Sequence, residues 1–254
     1  MRWKNVFAVN FVLSFMVAFQ VQASVVQYIS PDYYLGQLVR GILMAAAEIS
    51  HPQFKEIEAP EIKRRADQAL QKIYQYPAFK YRYDKLSIVI IQGLPGEPNG
   101  FSFGNNMFLT KSIVEMLTPA QLTAVIAHEL AHSEKAHNMQ KTPLPLGAVA
   151  YQLKTIYESV GAGKWPAGRD LLASIQELLA TSGLAMELQA DCVAAQQLEH
   201  MKRQGLPHSA ADLNSATSVL MGFDITTDTS EDPAAVRAQA LVNKVYEQGS
   251  CDIF

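Results

Sequence analysis

The chain has 254 residues, of which 49% are hydrophobic and 18% charged, and a formal net charge of −3. That balance excludes a disordered acidic tail, a collagen-like repeat and a basic nucleic-acid arm. The length suits one ordinary domain, with room for at most a helical extension.

Arg2 and Lys4 open the chain, residues 6–19 are apolar apart from Asn10 and Ser14, and Val21 and Ala23 are small residues at positions −3 and −1 of a cleavage site. Such an apolar run is too short to cross a bilayer comfortably, so residues 1–23 are expected to be a removable secretory signal. Cleavage after Ala23 removes two basic residues and no acidic one, which takes the formal charge from −3 to −5. An exported chain of that sign is a poor partner for a phosphate backbone, and nucleic acid is not expected. Neither cysteine, Cys192 or Cys251, lies near the junction to accept a lipid. The two could form one bridge in an oxidising compartment, a matter that only distances decide. A single bridge cannot frame the fold, so a packed core must hold it.

In the mature chain, residues 33–51 place Leu35, Leu38, Val39, Ile42, Leu43 and Ala46 at helical spacing. A second helix is predicted over 60–76, with Ile62, Ala66, Ala69, Leu70 and Ile73 on one side and Pro77 ending it. Residues 85–92 are short and β-branched, which predicts a strand, and Gly93, Pro95, Gly96 and Pro98 punctuate the stretch after it. Another strand-like piece covers 107–110. Thr118, Pro119 and Gln121 form a firm helix start: a cap, a proline whose missing N–H costs nothing there, and a reciprocal partner three residues on. Residues 142–146 break the pattern, 148–159 are apolar-periodic, and Gly161, Gly163, Pro166 and Gly168 predict a loop. A long helical region over 170–202, with an interruption at Ser182-Gly183, stops at Gly205 before Pro207. Short helices come next over 210–221 and from Asp232-Pro233 to about residue 248. The class this predicts is α+β, predominantly helical with one small sheet.

His128-Glu129-Leu130-Ala131-His132 lies inside the capped helix. Four residues advance a helix by roughly 400°, so the two imidazoles stack on one face with their bases about 6 Å apart. Two ring nitrogens can then converge on one zinc ion, and Glu129, one position along, can reach a water there as general base. The motif falls in an apolar-periodic helix, where two imidazoles and a carboxylate would be costly to bury without a partner.

Two histidines do not complete a zinc site. His137 is nine residues from His128 and faces the other way if the helix continues. The metzincin route needs Gly and His where Lys135 and Asn138 stand. Glu187 is the better third ligand. It and Asp191 form an i,i+4 pair, so one carboxylate can bind metal while the other accepts from the outward N–H of a ligand histidine. His200 and His208 stay open as a fourth ligand of a purely structural site.

His128-Glu129-Leu130-Ala131-His132, with Glu187-Leu188-Gln189-Ala190-Asp191 further along, resembles the M48 family of zinc peptidases. Asn99-Gly100-Phe101-Ser102 and Met107-Phe108-Leu109-Thr110 stand where that family carries an Asn-Ala-Phe-like stretch and a short strand ahead of the motif helix. The likeness runs over residues 85–205. It implies a zincin-like metalloprotease domain over 24–254 (N-terminal helices over 24–84, catalytic core over 85–254) whose edge strand flanks the cleft. It further implies one Zn2+ per chain on His128, His132 and Glu187, Glu129 as general base, Asp191 orienting a ligand, and Gly100, Phe101 and Ser102 pairing with an extended substrate. The sequence departs from the family where a His-Pro with a later arginine is common: here Asp232-Pro233 precedes Arg237. An ionised Asp232 cannot donate to an oxyanion, and Arg237 is left as a site-organising candidate or an ordinary salt-bridge partner.

The expected activity is that of a zinc-dependent endopeptidase acting on misfolded or membrane-associated periplasmic polypeptides. Association with the membrane periphery or outer-membrane assembly, and export beyond the periplasm, stay open. A rival reading keeps fold and metal but makes the chain a chaperone-like quality-control or assembly factor that binds unfolded clients and cuts them rarely or under gating.

Overall fold

The computed structural model describes residues 52–81, 86–95, 97–135 and 184–221, Cys251, and scattered helical positions between 36 and 47. The expected signal segment, the apolar and loop stretches over 142–168, the helical region over 170–183, His137, Asp232, Pro233 and Arg237 lie outside the described residues.

After a 3-10 turn at Pro52–Phe54, α1 runs Pro60–Gln75 with proline in its first turn. Its buried side is Ala66, Ala69, Leu70 and Ile73, the stripe that the spacing predicts. Tyr76 closes the helix by donating to the Ile73 and Lys72 carbonyls, and Pro77 comes directly after it. The sheet has three strands, β1 (Ser87–Ile91), β2 (Gly100–Phe103) and β3 (Asn106–Thr110), in the order β1-β3-β2. β1 and β3 are parallel, with Val89 opposite Phe108, and β2 and β3 are antiparallel, with Phe101 opposite Phe108. The link from β2 to β3 is Gly104-Asn105, and Gly104 takes φ 56°, the positive value that a two-residue hairpin turn asks of its first residue.

Each face of the sheet is covered. Ile88, Ile90, Met107 and Leu109 belong to the main core with α1 and the later helices. Strand alternation sends Val89, Ile91 and Phe108 to the other side, and Val39 and Leu43 are also buried outside the main core. Gly36 has no room for a side chain, since a Cβ would come 2.8 Å from the Phe103 carbonyl. The outer edge of β1 is taken by a preceding segment: Ile57 donates to the Ile90 carbonyl and Gln92 to that of Lys55. Among the described residues, that leaves β2 as the edge strand.

Thr110 ends β3 and caps α2 (Lys111–Met116), a short helix that the sequence pattern does not predict. α3 (Pro119–Glu134) begins with the expected capping box, Thr118 and Gln121 each satisfying the other's backbone N–H. It is the central helix, buried along most of its length between α1, the sheet and two later helices. α4 runs Leu184–Arg203 and ends in a Schellman motif: Gly205, at φ 82°, donates to Lys202 and Leu206 to Met201. Ala190, Ala194 and Ala195 are fully buried, and small residues there let α4 lie close along α3. α5 (Ala210–Met221) packs on both, and Gln121 of α3 donates to Ser215 of α5 at 2.8 Å. Cys192 of α4 and Cys251 form a disulfide, which settles the pairing that sequence left open.

Candidate metal centre

The two motif histidines meet as their spacing requires. His128 Nε2 and His132 Nε2 lie 3.0 Å apart. Glu187 reaches across from α4, its Oε2 3.2 Å from His128 Nε2 and its Oε1 3.5 Å from His132 Nε2. One ligand atom from each of the three residues lies within 4.8 Å of the others, and among the described residues no other such cluster occurs. His200 and His208 do not join it.

Asp191 holds the arrangement from behind. Its Oδ1 lies 2.8 Å from His128 Nδ1, in a setting where Asp191 is only 4% exposed. An ionised carboxylate can only accept, so Nδ1 carries a proton and Nε2 is the atom turned toward Glu187 and His132. Burial alone would pull the His128 pKa down, but hydrogen bonds and charge from Asp191 and Glu187, with Glu129 adding to them, push it up to about 10. Burial would likewise raise the Glu187 carboxyl, and its bonds to His128 and His132 instead hold it well below the usual carboxylate range. Both shifts state that this pocket attracts positive charge.

The donors fit a divalent cation. Metal–nitrogen bonds of about 2.0–2.1 Å in tetrahedral geometry put neighbouring ligand atoms roughly 3.3–3.4 Å apart. The observed separations, 3.0, 3.2 and 3.5 Å, straddle that figure. Two neutral imidazole lone pairs and a carboxylate would otherwise face one another in a largely buried space, which is stable only with a proton or a cation among them. Two imidazoles and one carboxylate make a donor set that suits zinc.

A family model described as peptidase family M48 matches residues 58–241, well over half of the chain. The chain belongs to peptidase family M48. Comparison with individually curated proteins finds no match. Membership of M48 together with the His-His-Glu cluster supports a metal-dependent, peptidase-type activity.

Glu129, the residue between the two M48 motif histidines that the sequence singles out as base, is buried, with 8% exposure. Its Oε1 lies beneath the start of β2: a Cβ on Gly100 would sit 3.8 Å from it. The hairpin fixes what β2 presents. Thr110 donates to the Asn99 carbonyl at 2.9 Å, so Asn99, Phe101 and Phe103 aim their peptide groups at β3, and alternation turns those of Gly100 and Ser102 away from it. Phe101 stacks on Phe108 on the other face, ring centroids 4.8 Å apart. Sequence reasoning brought β2 near the motif only by resemblance. The close approach of Gly100 to Glu129 had no signal of its own beyond the glycine.

Proposed function

We propose that the chain is a zinc-dependent endopeptidase that cuts extended polypeptides in an oxidising compartment, the periplasm first among them. The convergence of His128 Nε2, His132 Nε2 and the Glu187 carboxylate beside Glu129 carries this reading. A divalent cation held by those three residues would acidify a water and polarise a peptide carbonyl. Glu129 takes the proton from the attacking water and hands it to the leaving nitrogen. Asp191 keeps His128 in the tautomer that points Nε2 inward. Gly100 pairs with the substrate backbone by strand addition, and its missing side chain leaves room for the peptide beside Glu129.

Two features support the compartment. The first 23 residues have the order of charge, apolar core and small residues expected of an export signal. The Cys192–Cys251 bridge is of a kind that persists where thiols are kept oxidised. Misfolded or membrane-associated proteins are the proposed substrates, since strand addition reads an unfolded backbone rather than a particular shape. The test is metal quantification joined to digestion of casein and of unfolded outer-membrane protein, wild type against Glu129→Gln. One equivalent of zinc and digestion by the wild type alone are expected. A wild-type protein that holds no zinc, or a variant that digests as well as wild type, overturns the reading.

A further inference from the structure

Cys192 directly follows Asp191, and its partner Cys251 lies 59 residues further along the chain. Gln189, two positions before Asp191, donates from Nε2 to the Cys251 carbonyl at 3.1 Å. Cys251 is therefore held twice by a single turn of α4. That turn carries Asp191, and Glu187 stands one turn earlier. Both cysteines are buried, at 1% and 6% exposure.

Packing along α4 is uneven. Every residue from Ala190 to Ala195 is buried, whereas Met186, Glu187, Leu188 and Gln189 are only half-buried. Close contact holds the helix from Ala190 onward, while Glu187 stands on the preceding turn, where the packing is thinner. The disulfide at Cys192 and the side-chain bond from Gln189 bracket the junction between the two regimes. They fix the helix where its packing thins toward the carboxylate that must meet both imidazoles.

We infer that the Cys192–Cys251 bridge, with Gln189, is a positioning latch for the metal centre, so that the site holds its cation tightly only once the two thiols are oxidised. This rests on the metallopeptidase reading above. The bridge forms by exchange with a thiol–disulfide oxidant. One cysteine thiolate attacks the oxidant's disulfide, and the second displaces the oxidant from the mixed disulfide. The oxidant takes the two electrons and leaves as a dithiol, carrying the two cysteine protons. A chain still reduced, as before export, would then keep its peptidase site in a low-affinity form.

A bridge that merely stabilised the fold would lower the melting temperature when removed and leave the metal affinity of the folded protein unchanged. Full-length oxidised protein, the Cys192→Ser/Cys251→Ser double variant and Gln189→Ala are titrated with Co2+ and, against a chromophoric chelator, with Zn2+. The titrations are run at a temperature where circular dichroism shows each protein folded. The double variant is expected to bind about tenfold more weakly or worse and to shift the visible Co2+ bands, with Gln189→Ala in between. Should the double variant not fold, zinc-loaded wild type treated with a phosphine reductant takes its place. The chelator is then expected to strip its metal about tenfold faster than before reduction. Equal affinities and spectra, or equal stripping rates, overturn the latch. Failure of the oxidised wild type to bind either cation is a separate outcome that removes the metal reading beneath it.

Discussion

Asp191 Oδ1 stands 2.8 Å from His128 Nδ1, a contact that joins two helices across 63 positions of sequence. It decides which nitrogen of His128 faces Glu187. Removing the carboxylate strands a buried N–H and frees the ring to turn. Asp191→Ala is therefore expected to weaken zinc binding by about 10–100-fold with the fold intact, and Asp191→Asn, which keeps an acceptor oxygen, by less. Chelator competition on the folded variants checks both. An Asp191→Ala protein that binds zinc like wild type would show that packing alone orients the ring.

Glu129 is not within the three-ligand cluster, yet its carboxylate lies at the start of the edge strand. Binding and proton transfer should separate. Glu129→Gln is expected to retain zinc and lose about 10²–10⁴-fold in peptide turnover, whereas His128→Ala should lose both. Metal content and single-turnover kinetics on a quenched fluorescent peptide distinguish the two. If Glu129→Gln loses the metal too, the carboxylate belongs to the binding set rather than to the proton path.

Much of the site was legible because its determinants are local. Thr118, Pro119 and Gln121 start α3 where a capping box must, and the spacing of His128 and His132 fixes their common face at helical pitch. Glu187 and Asp191 were legible as one face of a helix, but placing that face on α3 needed the demand of a two-histidine site and the family resemblance. The rest depends on distant pairing that composition does not encode. Nothing in the apolar run of β1 says that it pairs parallel to β3 rather than to β2. α2 is too short for periodicity to show. Gln197 reads as an ordinary polar helix residue, yet it is buried at 1% exposure. There it accepts from the Ala78 N–H and the Tyr81 hydroxyl and donates to the Tyr76 carbonyl, fastening α4 to the chain after α1. The Cys192–Cys251 pairing required coordinates outright.

Gly100 offers a graded test of the strand beside the base. A methyl there would lie 3.0 Å from Leu109 Cδ2, the movable end of a side chain, and 3.8 Å from Glu129 Oε1. Gly100→Ala is expected to fold and to lower kcat/KM several-fold as the added carbon crowds the space between peptide and carboxylate. Gly100→Val, with two more carbons at the same point, should cost at least a further order of magnitude while zinc binding holds. Steady-state kinetics with metal content in parallel checks it. Unchanged turnover in the valine variant would mean that the peptide does not approach along β2.

Acid should weaken the fold through a buried histidine away from the metal centre. His208 lies between α4 and α5, is 4% exposed, and among the described residues neither ring nitrogen has a hydrogen-bond partner. Burial lowers its pKa, Lys72 of α1 lowers it further, and Asp212 of α5 opposes them without prevailing. The unfolded chain therefore takes up this proton more readily than the folded one. Stability is fully present above the unfolded value near 6.5 and is lost as pH falls below it toward the depressed folded value, with a slope of at most about 1.4 kcal/mol per pH unit. His128, whose raised pKa is common to both proteins, acts in the opposite sense over the upper part of this window, so the reading is the difference between wild type and His208→Gln in urea unfolding at steps from pH 7.5 to 5.5. Wild type should lose stability relative to the variant, which cannot take up the proton, as the pH falls. Identical slopes in the two proteins would show that protonation at His208 is accommodated without cost, against what its buried and unpartnered ring requires.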